Sequence, residues 1–189
     1  ADEPVATLLR GVLSSMARVL PVPRPIRIAP DGLDPWRDAV RIIQAREIWQ
    51  VYGRFVESQH PRFGPGVAER MQGASRITQA ETGAARKVHA AARDHIRSQI
   101  TPGTFLALPS APCIAPKIDS SADQLDSYRT RVMRLTCIAG LGGLPQVSIP
   151  IGTVSGCPIG LSFIAWPGGD EALLDLAVAL ARFCGIERA

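Results

Sequence analysis

Residues 105–183 constrain the fold more than any other part of this sequence, because strand and helix signals alternate there in a tight order set off by proline and glycine. Phe105-Leu106-Ala107-Leu108 is a short apolar run of buried-strand type, stopped by Pro109 and followed by the loop Ser110-Ala111-Pro112-Cys113-Ile114-Ala115-Pro116. Ser121 opens a helix predicted to reach about Leu141, which Gly142, Gly143 and Pro145 end. Residues 146–151 and 159–165 are two β-type runs, joined by a loop over 152–158, and read as neighbouring strands. Beyond Trp166-Pro167-Gly168-Gly169, the residues Leu173, Leu176, Ala177, Leu180 and Cys184 form the inner stripe of a last helix. This order predicts an α/β lobe, a mixed β-sheet flanked by helices, with residues 1–189 as a single unit.

Upstream the signals are helical. Asp2 is placed to cap a first helix with Glu3 and Pro4 in its opening turn, and Val5, Leu8, Leu9, Val12, Leu13, Met16 and Leu20 recur on one face. The proline-rich segment 21–30 excludes helix, while Ile26 and Ile28 suit a short edge strand. Asp34-Pro35, a capping residue with proline at the first helical position, announces a second helix to about Ser58, whose apolar residues Trp36, Val40, Ile43, Ile48, Val51, Tyr52, Phe55 and Val56 cover more than one stripe and imply partners on several sides. Glu47 falls near the Trp36, Val40 and Ile43 face, so it is either a buried carboxylate with a role or one salt-bridged to a nearby arginine, and the pairing is the expectation. A turn over 60–66 breaks the chain before a short helix through Val67 and Met71. Thr78 and Glu81 form a T-x-x-E capping box, opening a long helix with Ala85, Val88, Ala92, Ile96 and Ile100 inward.

Composition narrows the function classes. The net charge of +4 comes from scattered arginines, without the basic stripe that nucleic-acid binding needs. No apolar run approaches the roughly 18 residues of a membrane span, and no signal-peptide pattern is present, which predicts a cytoplasmic protein. Cys113, Cys137, Cys157 and Cys184 form no C-x-x-C pair and read as buried free thiols. His89 and His95 do not share a helix face, so neither a metal nor a cofactor is expected. The chain opens at Ala1 and enters a helical pattern almost at once, which points to a polypeptide cut or numbered from an internal point.

Leu-Pro-Ser-Ala-Pro from Leu108, Gly-Leu-Pro-Gln-Val-Ser-Ile-Pro-Ile-Gly from Gly143, Pro-Ile-Gly-Leu-Ser-Phe-Ile-Ala from Pro158 and the Asp170-Glu171-Ala-Leu-Leu helix follow one another in an order that resembles the C-terminal half of the amidase signature family. Within that family the run resembles the short amidases similar to plant indole-3-acetamide hydrolases. The resemblance implies a hydrolase that cleaves carboxamides with a nucleophilic serine, a bridging serine and a lysine base, all of which belong to the N-terminal half of the family. Here Ser14-Ser15 lies in the first helix, Ser120-Ser121 starts another, no glycine-rich serine loop is present, and neither Lys87 nor Lys117 has the family's context. No catalytic residue is therefore assigned.

The resemblance implies a substrate-binding wall at Met133, Thr136, Cys137 and Gly140. Two of these depart from relatives: Gly140 stands where many have Asn, and Met133 where glutamine-hydrolysing subunits carry an acid. An apolar side chain does not neutralise an ammonium, so a small, largely apolar amide is expected over glutamine. The expected partners are the missing N-terminal half or a second chain, and an oligomer, since half a sheet leaves apolar surface uncovered. Two alternatives are a non-catalytic interaction protein built on the same lobe and a fragment of an amidotransferase A-type subunit.

Overall fold

The structure, a computed structural model, describes residues 1–18, 20–64 and 66–184. Helix α1 spans Glu3–Ser15 and runs on through a single 3-10 turn. Asp2 occupies its N-cap position without a side-chain cap bond and pairs instead with Arg131. Segment 21–30 forms no strand: Ile26 is exposed, and the prolines withhold the amides a ladder needs. It is held where the His95 ring Nε2–H donates to the Ile28 carbonyl at 3.0 Å.

Helix α2 (Asp34–Gln59) has Leu33 at its N-cap, not Asp34, whose carboxylate instead takes a forked pair of hydrogen bonds from Arg134, at 2.8 and 3.0 Å, which lowers the Asp34 pKa. It ends at His60 in a left-handed conformation; Pro65, in the expected turn, lies outside the described residues. Helix α3 (Val67–Ser75) leads to α4 (Gln79–Gln99), whose Thr78–Glu81 capping box is fully formed. Ala85, Ala92, Ile96 and Ile100 are buried as expected, whereas Val88 is left partly exposed.

Strand β1 (Leu106–Pro109) precedes α5 (Ala122–Gly142), which Ser121 and Gln124 cap reciprocally at its start. At its end Gly143 adopts φ 58°, and the Arg97 Nε–H donates to the Gly142 carbonyl at 2.7 Å, satisfying an orphan acceptor of the last turn. Strands β2 (Gln146–Val154) and β3 (Cys157–Ile164) form a hairpin, and α6 (Asp170–Phe183) closes the described chain. The hairpin is longer than the sequence suggests: Ser155 and Gly156, both at positive φ, make a tight two-residue turn, and the expected loop is strand on either side of it.

The sheet has three strands in the order β1-β3-β2, antiparallel throughout, where a mixed sheet was expected within the α/β class. The reason is geometric. A two-residue turn forces β3 back along β2, and β1 then pairs with the free edge of β3 in the opposite sense. Alternation along β3 feeds two cores: Ile164 joins Leu108, Ile96, Ile138 and Leu141 on the α4 and α5 side, and Leu161 and Phe163 join Val5, Leu9, Leu173 and Leu180 on the α1 and α6 side. Trp166 packs against both clusters.

Glu47 departs from expectation. It is exposed and makes no ion pair among the described residues. Trp36 and Val40 pack into the core, but α2 runs past that contact, so the later residues on the same face have no neighbour to bury them.

Candidate functional site

Helix α5 carries the residues that the sequence singles out. Met133, Thr136 and Gly140 lie on one face, half-buried or exposed, and a Cβ placed on Gly140 would meet nothing within 4 Å. The Thr136 hydroxyl donates to the Val132 carbonyl at 3.2 Å, which leaves its oxygen free to accept a further hydrogen bond. Cys137, one turn on from Met133, is instead 5% exposed in the core with Trp36, and its thiol donates to the Arg134 carbonyl. Burial pushes that thiol up to about 11. The structure thus leaves three of the four residues on an open face and buries Cys137 beside them.

A second polar feature on the same side of the sheet was not foreseen. The hydroxyls of Ser110, Ser148 and Ser162 lie within hydrogen-bond reach of one another, at 3.1, 2.8 and 2.7 Å, and the Gln146 amide donates to Ser162 at 3.1 Å. Ser162 is fully buried, while Ser148 and Gln146 are exposed on edge strand β2. Ser110 enters this cluster because Gly160 lacks a side chain; a Cβ there would sit 2.7 Å from the Ser110 hydroxyl. Strand alternation held the signal, since Gln146, Ser148, Ser162 and Ile164 share one parity, but joining them needs the hairpin register, which pairs Ser148 with Ser162.

This cluster is a hydrogen-bonded ladder and lacks the parts of a nucleophilic centre. No imidazole, carboxylate or amine bonds to it among the described residues, so nothing is placed to take a serine proton. Lys87 and Lys117 are both exposed, Ser15 donates within its own helix, and Ser121 caps α5. Of the thiols only Cys137 is buried; Cys113, Cys157 and Cys184 are half-buried and free. Among the described residues no group of His, Cys, Asp and Glu comes together to hold a metal ion, and no helix is long and apolar enough to cross a membrane. Two surface hollows, of about 370 and 480 Å³, lie against α2, and Met133, Thr136 and Gly140 line neither. Met133, Thr136 and Gly140 thus lie on an open face and not in either hollow.

The comparisons with known proteins agree with this fold. The Amidase family model matches residues 36–174, and the chain belongs to that family. It is 32% identical over 145 residues to Amidase 1 of Arabidopsis thaliana, covering 77% of this chain and 34% of that protein. It is 35% identical over 84 residues to the indoleacetamide hydrolase of Pseudomonas savastanoi, covering 44% of this chain and 18% of that protein. A solved amidase structure superimposes with a TM-score of 0.80 at 19% identity, covering 92% of this chain and 40% of the other. The chain therefore spans only about a third of the length of the Arabidopsis relative.

Proposed function

We propose that this chain is the C-terminal portion of a serine-dependent amidohydrolase, which cleaves a small carboxamide to a carboxylate and ammonia or an amine and is inactive without its N-terminal half. In this reading the N-terminal half, or a second chain, carries the nucleophilic serine, the bridging serine and the lysine base. The chain supplies the end of the sheet and one wall of the pocket, with neither nucleic acid nor membrane among its partners, and works in the cytoplasm. The observation that carries the reading is the open α5 face of Met133, Thr136 and Gly140, in a family member that spans 34% of its Arabidopsis relative.

The chemistry follows from the wall. Met133 and the bare Gly140 offer an apolar surface and room for a side group, and Thr136 contributes one acceptor, which together suit a largely apolar amide. The C–N bond is broken elsewhere: an activated serine oxygen attacks the carbonyl carbon, the departing nitrogen takes the proton relayed through the lysine, and water then hydrolyses the resulting serine ester to release the carboxylate. The wall only orients the acyl group.

The purified chain is expected to release no ammonia from indole-3-acetamide or other small carboxamides. Assembled with an N-terminal half that restores turnover, the Gly140→Leu variant should raise KM several-fold with kcat little changed, since it fills space without touching the reacting atoms. Turnover by the pure chain that persists after Lys87→Ala and Lys117→Ala would overturn the reading.

A further inference from the structure

Helix α2 packs mainly on α3, α4 and α5, and Ala39 and Gly53 on its inner face are buried. On the opposite face Ile48, Val51, Tyr52 and Phe55 are 45%, 69%, 54% and 54% exposed. Their positions follow i, i+3, i+4 and i+7, the spacing of a helix-packing seam, and between residues 48 and 55 no polar side chain falls within the stripe, which Gln44 and Gln59 bound at its two ends. Single exposed apolar residues are ordinary, but a contiguous stripe of four marks an interaction face.

We propose that this face binds a second copy of the chain through an antiparallel pairing of the two α2 helices. Charge decides the occupant. Glu47 and Arg54 lie two turns apart on the same flank of the stripe, and neither makes an ion pair among the described residues. A second α2 turned end for end brings its Arg54 to Glu47 and its Glu47 to Arg54 at once, because a two-fold axis across an antiparallel pair exchanges positions on one flank. A parallel pair has no such match.

A partner that extends the sheet is not placed to cover the stripe. The sheet lies beyond α4 and α5, whereas the stripe points away from them. Four side chains and their rim fall short of the roughly 800 Å² per partner of tight complexes, so the dimer is weak and depends on concentration. The inference stands apart from the amidase reading, which a monomeric chain would leave untouched.

Sedimentation velocity across a dilution series tests it. The chain should dimerise reversibly, and Val51→Glu, at a surface position, should be monomeric throughout with an unchanged far-ultraviolet circular dichroism spectrum. Glu47→Arg alone and Arg54→Glu alone should each weaken the dimer about tenfold, because both charge contacts become repulsive. An equimolar mixture of these two variants should recover wild-type affinity as a heterodimer. A monomer at every concentration, self-association indifferent to the α2 variants, or a mixture that stays monomeric would each overturn the proposal.

Discussion

At the scale of single residues, Cys137 shows how burial sets chemistry. The thiol has lost its water, and the thiolate is disfavoured more in the fold than in the unfolded chain, so its pKa rises from 9.0 to about 11. The folded state therefore holds the proton more tightly. The stability this confers is complete below pH 9.0 and is lost as pH rises toward about 11. Denaturant midpoints measured across that window should fall more steeply for the native chain than for Cys137→Ala. Neighbouring positions divide between what the sequence reveals and what it hides. Met133, Thr136 and Gly140 fall on one face by helical spacing alone, but that Cys137 belongs to the core follows only from α2 lying against it.

At the scale of elements, the helix boundaries were the most legible feature, because caps are local chemistry. Thr78 with Glu81 and Ser121 with Gln124 each satisfy two otherwise orphaned amides within four residues of chain. Thr78→Ala and Ser121→Ala should each cost about 1 kcal/mol, read as a lower denaturant midpoint with unchanged slope. The segment 21–30 was misread as a strand for an equally physical reason. Its isoleucines have the right residue type, but a strand exists only where a neighbour accepts its ladder, and here the segment is held by the bond from His95 to Ile28 and by Ala29 in the core. Glu47 failed in the same way, since a helix face is buried only as far as its partner reaches.

At the scale of the whole molecule, β3 is the shared element. Its alternate residues serve the two clusters, and Trp166 touches both, so neither core is expected to survive the loss of the other. Leu161→Ala removes a fully buried side chain and should cost about 2–5 kcal/mol. Circular dichroism and tryptophan fluorescence should still report one coincident transition. Separate transitions would mean that the clusters fold independently.

Taken alone, the sequence determined the helices, the Thr78–Glu81 capping box, the strand-forming runs after Phe105 and the resemblance to amidases, since periodicity and capping act over a few residues of contiguous chain. Only the tertiary structure decided the antiparallel order β1-β3-β2, the meeting of Ser110, Ser148 and Ser162, and which faces of α2 and α5 stay open. Those features depend on residues far apart in the chain becoming neighbours, and a local pattern names a face that wants a partner without saying which partner arrives.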